Sequence, residues 1–90
     1  MDITDYKINM VSGNRLLKAY CSVTFDNQLV VHNIRIVEAS GKVLISMPNH
    51  KLSDGTRKDY VHPVSKEFRN ILDSFIIDKY KKELENNKEE

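Results

Sequence analysis

Residues 16–25 read LLKAYCSVTF, and their alternation decides the fold class. Leu17, Ala19, Cys21, Val23 and Phe25 fall on one side, while Lys18, Tyr20, Ser22 and Thr24 fall on the other. Successive side chains leave a strand on opposite faces, so a period of two over this length marks a half-buried β-strand. Asp26-Asn27 comes next, and both residue types tolerate the positive φ of a tight hairpin turn. The following stretch, 29–37, reads LVVHNIRIV and is rich in β-branched side chains suited to a pleated sheet. Plain alternation predicts Val30, His32, Ile34 and Ile36 on its inner face. The outer face then carries Leu29, Val31, Asn33, Arg35 and Val37 and is mixed rather than polar.

Working outward, residues 3–11 alternate weakly, with Tyr6, Ile8 and Met10 on one side, and Ser12-Gly13-Asn14 supplies a turn. Ser40-Gly41 makes another turn before a fourth strand over 42–47, with Val43, Ile45 and Met47 inward. Pro48 ends that strand because it has no ladder donor. A polar loop, NHKLSDGTR, turns at Asp54-Gly55 and leads to a short fifth strand over 58–62, stopped by Pro63. The last third is helical. Ser65 is placed to cap it, and Phe68, Ile71, Leu72, Phe75, Ile76 and Tyr80 form an apolar stripe, with Ile77 off it. Asp78 with Lys82, Lys79 with Glu83 and Lys81 with Glu85 are spaced to pair on a solvated face. The expected architecture is α+β: an antiparallel meander of about five strands with one C-terminal helix on one face. Residues 1–84 form a single domain, and residues 85–90 form a polar, frayed tail.

The chain has 90 residues, with 14 basic and 13 acidic side chains and a formal net charge of +1. Residues 1–64 hold 8 basic and 6 acidic residues, and residues 65–90 hold 6 and 7, so neither part is strongly biased. A domain this small buries only about two-thirds of its unfolded surface, and partner contact helps it. No apolar run reaches the roughly 20 residues of a membrane helix. The opening MDITDYKINM lacks the basic-then-apolar layout of a signal peptide, and the single cysteine excludes an intramolecular disulfide. These features lead us to expect a protein of the reducing cytoplasm with no membrane association.

Catalytic motifs are missing: there is no glycine-rich phosphate loop, nucleophile elbow or HExxH. Cys21, in register with Ala19 and Val23, reads as a small core residue rather than a nucleophile. His50 and His62 flank the polar loop, but zinc usually takes four ligands and no other donors accompany them. His32 reads as a satisfied core or interface histidine. The expectation is a non-enzyme with no catalytic residues, no small-molecule substrate, no cofactor and no metal site. Nucleic acid is the better-supported ligand. His50, Lys51, Arg57 and Lys58 cluster in the polar loop, Lys66 and Arg69 extend them into the first helical turns, and a dimer doubles the patch. No helix-turn-helix, zinc finger or RNA-recognition signature supplies a base-reading element. Leu29, Val31 and Val37, otherwise exposed, are candidates for a dimer interface, joined by His32 across the seam.

Several stretches in order resemble the stage V sporulation protein G family. They are Ile3-Thr4-Asp5, Leu17-Lys18-Ala19, Ser22-Val23-Thr24-Phe25-Asp26 and Val30-Val31-His32-Asn33-Ile34-Arg35, followed by Met47-Pro48-Asn49, Asp54-Gly55, Lys58-Asp59 and His62-Pro63. The likeness covers about residues 3–80. It implies a small sheet against a C-terminal helix, a homodimer, and a cytoplasmic regulator of gene expression that binds DNA and, in some members, RNA. It also implies a link to sporulation and asymmetric septation. Basic residues after the Met-Pro pair are the ones associated with nucleic acid, and here that segment reads Asn49-His50-Lys51. The alternative from a different class is a protein–protein interaction module that affects septation without binding nucleic acid directly.

Overall fold

The computed structural model describes residues 1–13 and 15–88. Four antiparallel strands, β1 (Ile3–Met10), β2 (Leu17–Phe25), β3 (Leu29–Ala39) and β4 (Lys42–Ser46), form a meander in the order β1-β2-β3-β4. Two short strands, β5 (Asn49–Lys51) and β6 (Arg57–Asp59), form a separate antiparallel hairpin. A single helix, α1, runs over Lys66–Lys88. The fold is α+β, as expected. The fifth strand, however, does not extend the meander. Pro48 stops the main sheet, and residues 57–59 pair back onto residues 49–51 instead.

The turns use the chemistry that tight hairpins demand. Asp26 and Asn27 both have positive φ, 52° and 53°, and Gln28 N–H donates to the Phe25 carbonyl at 2.9 Å. Ser40 and Gly41, at 53° and 79°, make the second such turn. Two consecutive left-handed residues match the right-handed twist of the strands they join. Of the first predicted turn, Gly13 has a φ of 79° and Asn14 lies outside the described residues.

Strand β3 departs from plain alternation. Cys21 pairs with Ile34 but Val23 pairs with Val31, so two steps on β2 oppose three on β3. The extra residue is taken up by a β-bulge in which Asn33 sits at a φ of 63°. The bulge reverses the predicted faces on its N-terminal side. Val31 is buried with Ile34 and Ile36, whereas Val30 and His32 are exposed.

The core lies between the sheet and α1. Ala19, Cys21, Val23 and Phe25 from β2 meet Val31, Ile34, Ile36 and Ile45 from the neighbouring strands, then Met47, and are covered by Leu72, Ile76 and Tyr80. Burial pushes the Cys21 thiol up to about 11, which suits a core residue and not a nucleophile. The Ser65 hydroxyl accepts the Phe68 N–H at 3.1 Å and caps the helix as predicted. Ile71 is a correction. It is 58% exposed, while Ile77 and Leu84 pack against the core. The buried line runs through residues 72, 76 and 80, and Ile71 lies one ~100° step from Leu72 on the side away from Ile76. The helix continues through Lys88, so residues 85–88 of the expected tail are helical and residues 89–90 lie outside the described residues.

Asn33→Gly should fold with stability within about 0.5 kcal/mol of wild type, since glycine enters the left-handed region freely. Asn33→Val should lose roughly 1–2 kcal/mol, because a β-branched residue pays the left-handed penalty in full. Urea titrations of the two variants check the pair, and equal stabilities would mean that the bulge is not anchored by this backbone conformation.

Candidate nucleic-acid interface

The loop cations sit on a formed hairpin. Lys51 pairs with Arg57, His50 with Lys58, and Asn49 with Asp59. Directly opposed residues share a face, so Lys51 and Arg57 stand together on one side of the hairpin and Lys58 stands on the other, with His50. Like charges directly opposite each other destabilise a strand pair. Of the nearby carboxylates, Asp54 is engaged within its own turn. Asp54 accepts the Thr56 hydroxyl at 2.7 Å and the Thr56 backbone N–H at 3.0 Å, closing the turn, and these bonds hold its pKa below the usual range. The turn is completed by Leu52 N–H to the Thr56 carbonyl at 2.7 Å, with Gly55 at a φ of 92°. Asp59 lies 3.9 Å from His62 Nδ1. Arg57 donates from Nη1 to Asn49 Oδ1 at 3.1 Å, a neutral acceptor. Among the described residues, Lys51, Arg57 and Lys58 have no carboxylate partner.

The other predicted contacts are placed differently. The His50 ring stacks on Tyr60 with centroids 4.7 Å apart and planes 22° apart, and its Nδ1 is buried. Lys66 is exposed in the first turn of α1. Arg69 is half-buried and committed: Nε donates to Asp73 Oδ2 at 3.1 Å, and Nη2 donates to the Ile45 carbonyl at 3.0 Å. Its guanidinium ties the helix to β4. The hairpin thus brings together residues 50, 51, 57 and 58, while Lys66 and Arg69 stay on the helix.

The residues read as a dimer interface are split by the β3 bulge. Leu29 and Val31 face the helix side and line an apolar cleft of about 410 Å³ with Phe25, Met47, Val64 and Phe68. His32 and Val37 lie on the opposite, open face. There the His32 ring makes a 3.0 Å hydrogen bond between Nδ1 and Ser22 Oγ, and Val37 pairs with Leu44 of β4. The expected placement of Val31 on an exposed face and of His32 among apolar neighbours is therefore corrected. One inserted residue changes which side each occupies.

A second concavity has no counterpart in the sequence reading. Tyr20, Asn33 and Arg35 from the open sheet face meet Pro48, Asn49 and Tyr60 from the hairpin around a polar hollow of about 340 Å³. Tyr20 and Arg35 are cross-strand neighbours, and Arg35 has no carboxylate partner among the described residues. The sequence signal for it is an arginine and a tyrosine on the polar faces of adjacent strands. Among the described residues no group of three or more metal-ligating side chains converges, and no helix is long and apolar enough to cross a membrane.

Residues 1–82 match the family model named SpoVG. The chain is similar to proteins called "Putative septation protein SpoVG" from several bacteria. The one from Borreliella afzelii is 48% identical over 87 residues, spanning 92% of this chain and 89% of that protein. The one from Caldanaerobacter subterraneus is 40% identical, spanning 97% and 96%, and the one from Clostridium perfringens is 43% identical, spanning 91% of each.

The commitment of Arg69 predicts a structural phenotype. Arg69→Ala should lower unfolding stability by about 1–2 kcal/mol, the scale of a charge-assisted bond to a half-buried carbonyl. Arg69→Lys, with a single ammonium in place of the fork, should recover only part of that. Denaturant midpoints check both, and a fully stable alanine variant would show that the bridge is incidental.

Proposed function

The chain belongs to the SpoVG family, and on that premise we propose that it is a dimeric, nucleic-acid-binding regulator of gene expression. The observation that carries this reading is the hairpin that sets Lys51 directly opposite Arg57, with no carboxylate at ion-pair distance from either among the described residues. Two opposed cations without a counter-charge are a cost to the free protein that a phosphate between them removes. Lys58 and Lys66 add charge from the hairpin and the helix start. A two-fold dimer doubles the set, and each phosphate neutralised releases counterions from DNA or RNA. The function rests on binding alone, with no catalytic step, cofactor or small-molecule substrate. Its setting is the cytoplasm, and its targets bear on septation, the process in the relatives' name, or on sporulation.

Self-association is supported by the apolar cleft, where Leu29 is 50% exposed and Val64 is 95% exposed. The same cleft favours a second reading, in which a protein of the septation machinery docks there and nucleic acid plays no part. A pull-down that survives nuclease and high salt supports that second reading.

The test is an anisotropy titration of labelled random-sequence DNA and RNA at several salt concentrations, with solution mass measured in parallel. Wild type should bind as a species of twice the chain mass with a steep salt slope. Lys51→Ala/Arg57→Ala/Lys58→Ala should bind more weakly, with the slope lowered by roughly 0.9 for each duplex phosphate no longer neutralised. Unchanged affinity and slope in the triple variant would overturn the assignment of the hairpin.

A further inference from the structure

We infer that the polar hollow between the open sheet face and the hairpin receives one unstacked base of a single-stranded nucleic acid; this rests on the nucleic-acid reading above and adds the form of ligand. Four features converge there. First, the lining is polar and aromatic: Tyr20, Asn33, Arg35, Asn49 and Tyr60 surround it, with Pro48 as the one aliphatic wall. Its volume of about 340 Å³ lies at the small end of ligand sites, in keeping with a single ring system rather than an extended ligand.

Second, Tyr60 is 70% exposed and already held on one side by the His50 ring, 4.7 Å away and near parallel. One face of the tyrosine is used and the ring is oriented, so its other face is a ready platform. Every base has a π-face, so such a platform accepts any base that has left the stack. Third, Arg35 is half-buried on the sheet with no carboxylate partner among the described residues. Its guanidinium can stack or donate to a base edge, and the Asn33 carboxamide offers both a donor and an acceptor, whereas Asn49 Nδ2 is held by the Met47 carbonyl at 2.7 Å and by Ser46 Oγ at 3.3 Å, which leaves its oxygen as an acceptor. Asn33 reaches this position only because the β3 bulge holds it at a φ of 63°. Fourth, the hollow adjoins the cationic hairpin face. Asn49, part of its wall, accepts the Arg57 guanidinium at 3.1 Å, so a strand whose base enters the hollow runs its backbone past Arg57 and Lys51.

A duplex keeps its bases stacked and paired, so it meets the cations but not the tyrosine platform. The hollow therefore predicts a preference for single strands that the hairpin charges alone do not create.

The experiment uses the full chain and a 2-aminopurine-labelled single strand, the same strand in a duplex, and free AMP, all at one salt concentration. Tyr60→Ala should weaken single-strand binding about tenfold, the order that stacking on one ring contributes per base, and should abolish the 2-aminopurine intensity change. Tyr60→Phe should keep both, and duplex affinity should stay within about twofold of wild type, since duplex binding runs through phosphate. The inference is overturned if Tyr60→Ala binds the single strand like wild type, or loses equally on single strand and duplex. It is overturned also if AMP competes as tightly as the oligonucleotide, which would make the hollow a free-nucleotide site. Failure of the parent reading looks different: wild type then binds neither single strand nor duplex. If the triple hairpin variant weakens both ligands while Tyr60→Ala changes neither, the hairpin reading stands and this one falls.

Discussion

One inserted residue in β3 organises most of what this protein presents. A strand has a strict period of two, so adding one residue exchanges the faces of everything on one side of it. Without the bulge at Asn33, Val31 would point to the open face and His32 would point into the core. With it, Val31 joins Phe25 and Leu29 on the helix side, and His32 turns out to bond Ser22. Ile34 and Ile36 remain opposite Cys21 and Ala19, so the centre of the core keeps its register. The cost is a non-glycine residue in the left-handed region. Asparagine bears that better than most, because its short polar side chain can bond locally.

The chain is nearly neutral, yet its charges are sorted by task. Arg69 and Asp73 lie on the helix close to the buried line of 72, 76 and 80, and their pairing fastens the helix to the Ile45 carbonyl. Lys79 lies over the rings of Tyr6 and Phe75, 5.5 and 5.3 Å from their centroids, and covers the end of the core near β1. Asp54 is spent on closing its turn. Among the described residues, Lys51, Arg57 and Lys58 of the hairpin and Arg35 beside it have no carboxylate partner, and they lie close together. Net charge reports none of this, because it counts a lysine over an aromatic ring and a lysine opposite an arginine alike.

The fold class is legible in the sequence because β2 alternates without interruption from Leu17 to Phe25 and its turns carry Asp-Asn and Ser-Gly. Hairpin chemistry and strand period agree there, and agreement between levels is what makes a reading firm. Alternation misplaces the N-terminal half of β3, since Leu-Val-Val-His-Asn-Ile can be threaded in either register and nothing local marks the inserted residue. It misplaces Ile71 because an isoleucine one step from Leu72 fits a broad stripe by count, and only the angle of the sheet beneath decides between it and Ile77. The cation cluster is visible as a loop, but its division into two faces needs the pairing of 49–51 with 57–59. The polar hollow shows in the sequence only as Tyr20 and Arg35 on the polar faces of adjacent strands, because its other walls, from the bulge and the hairpin, share no spacing with them.

The two concavities differ in chemistry and in the face they occupy, and the difference bears on how binding functions combine. The apolar cleft lies on the helix side, with Phe25, Leu29 and Val31 in its wall, whereas the polar hollow lies on the open side, with Tyr20 and Arg35. Apolar surface is driven to be covered by burial itself, and it discriminates weakly among partners. A hollow of tyrosines, amides and an arginine gains little from plain burial and responds to a ring with hydrogen-bonding edges. The two linings share no residue, so the assembly proposed for one and the nucleic-acid contact proposed for the other need not compete for the same side chains. Asn33 sits at the point in β3 where the strand changes register, which makes the bulge a feature that both faces depend on.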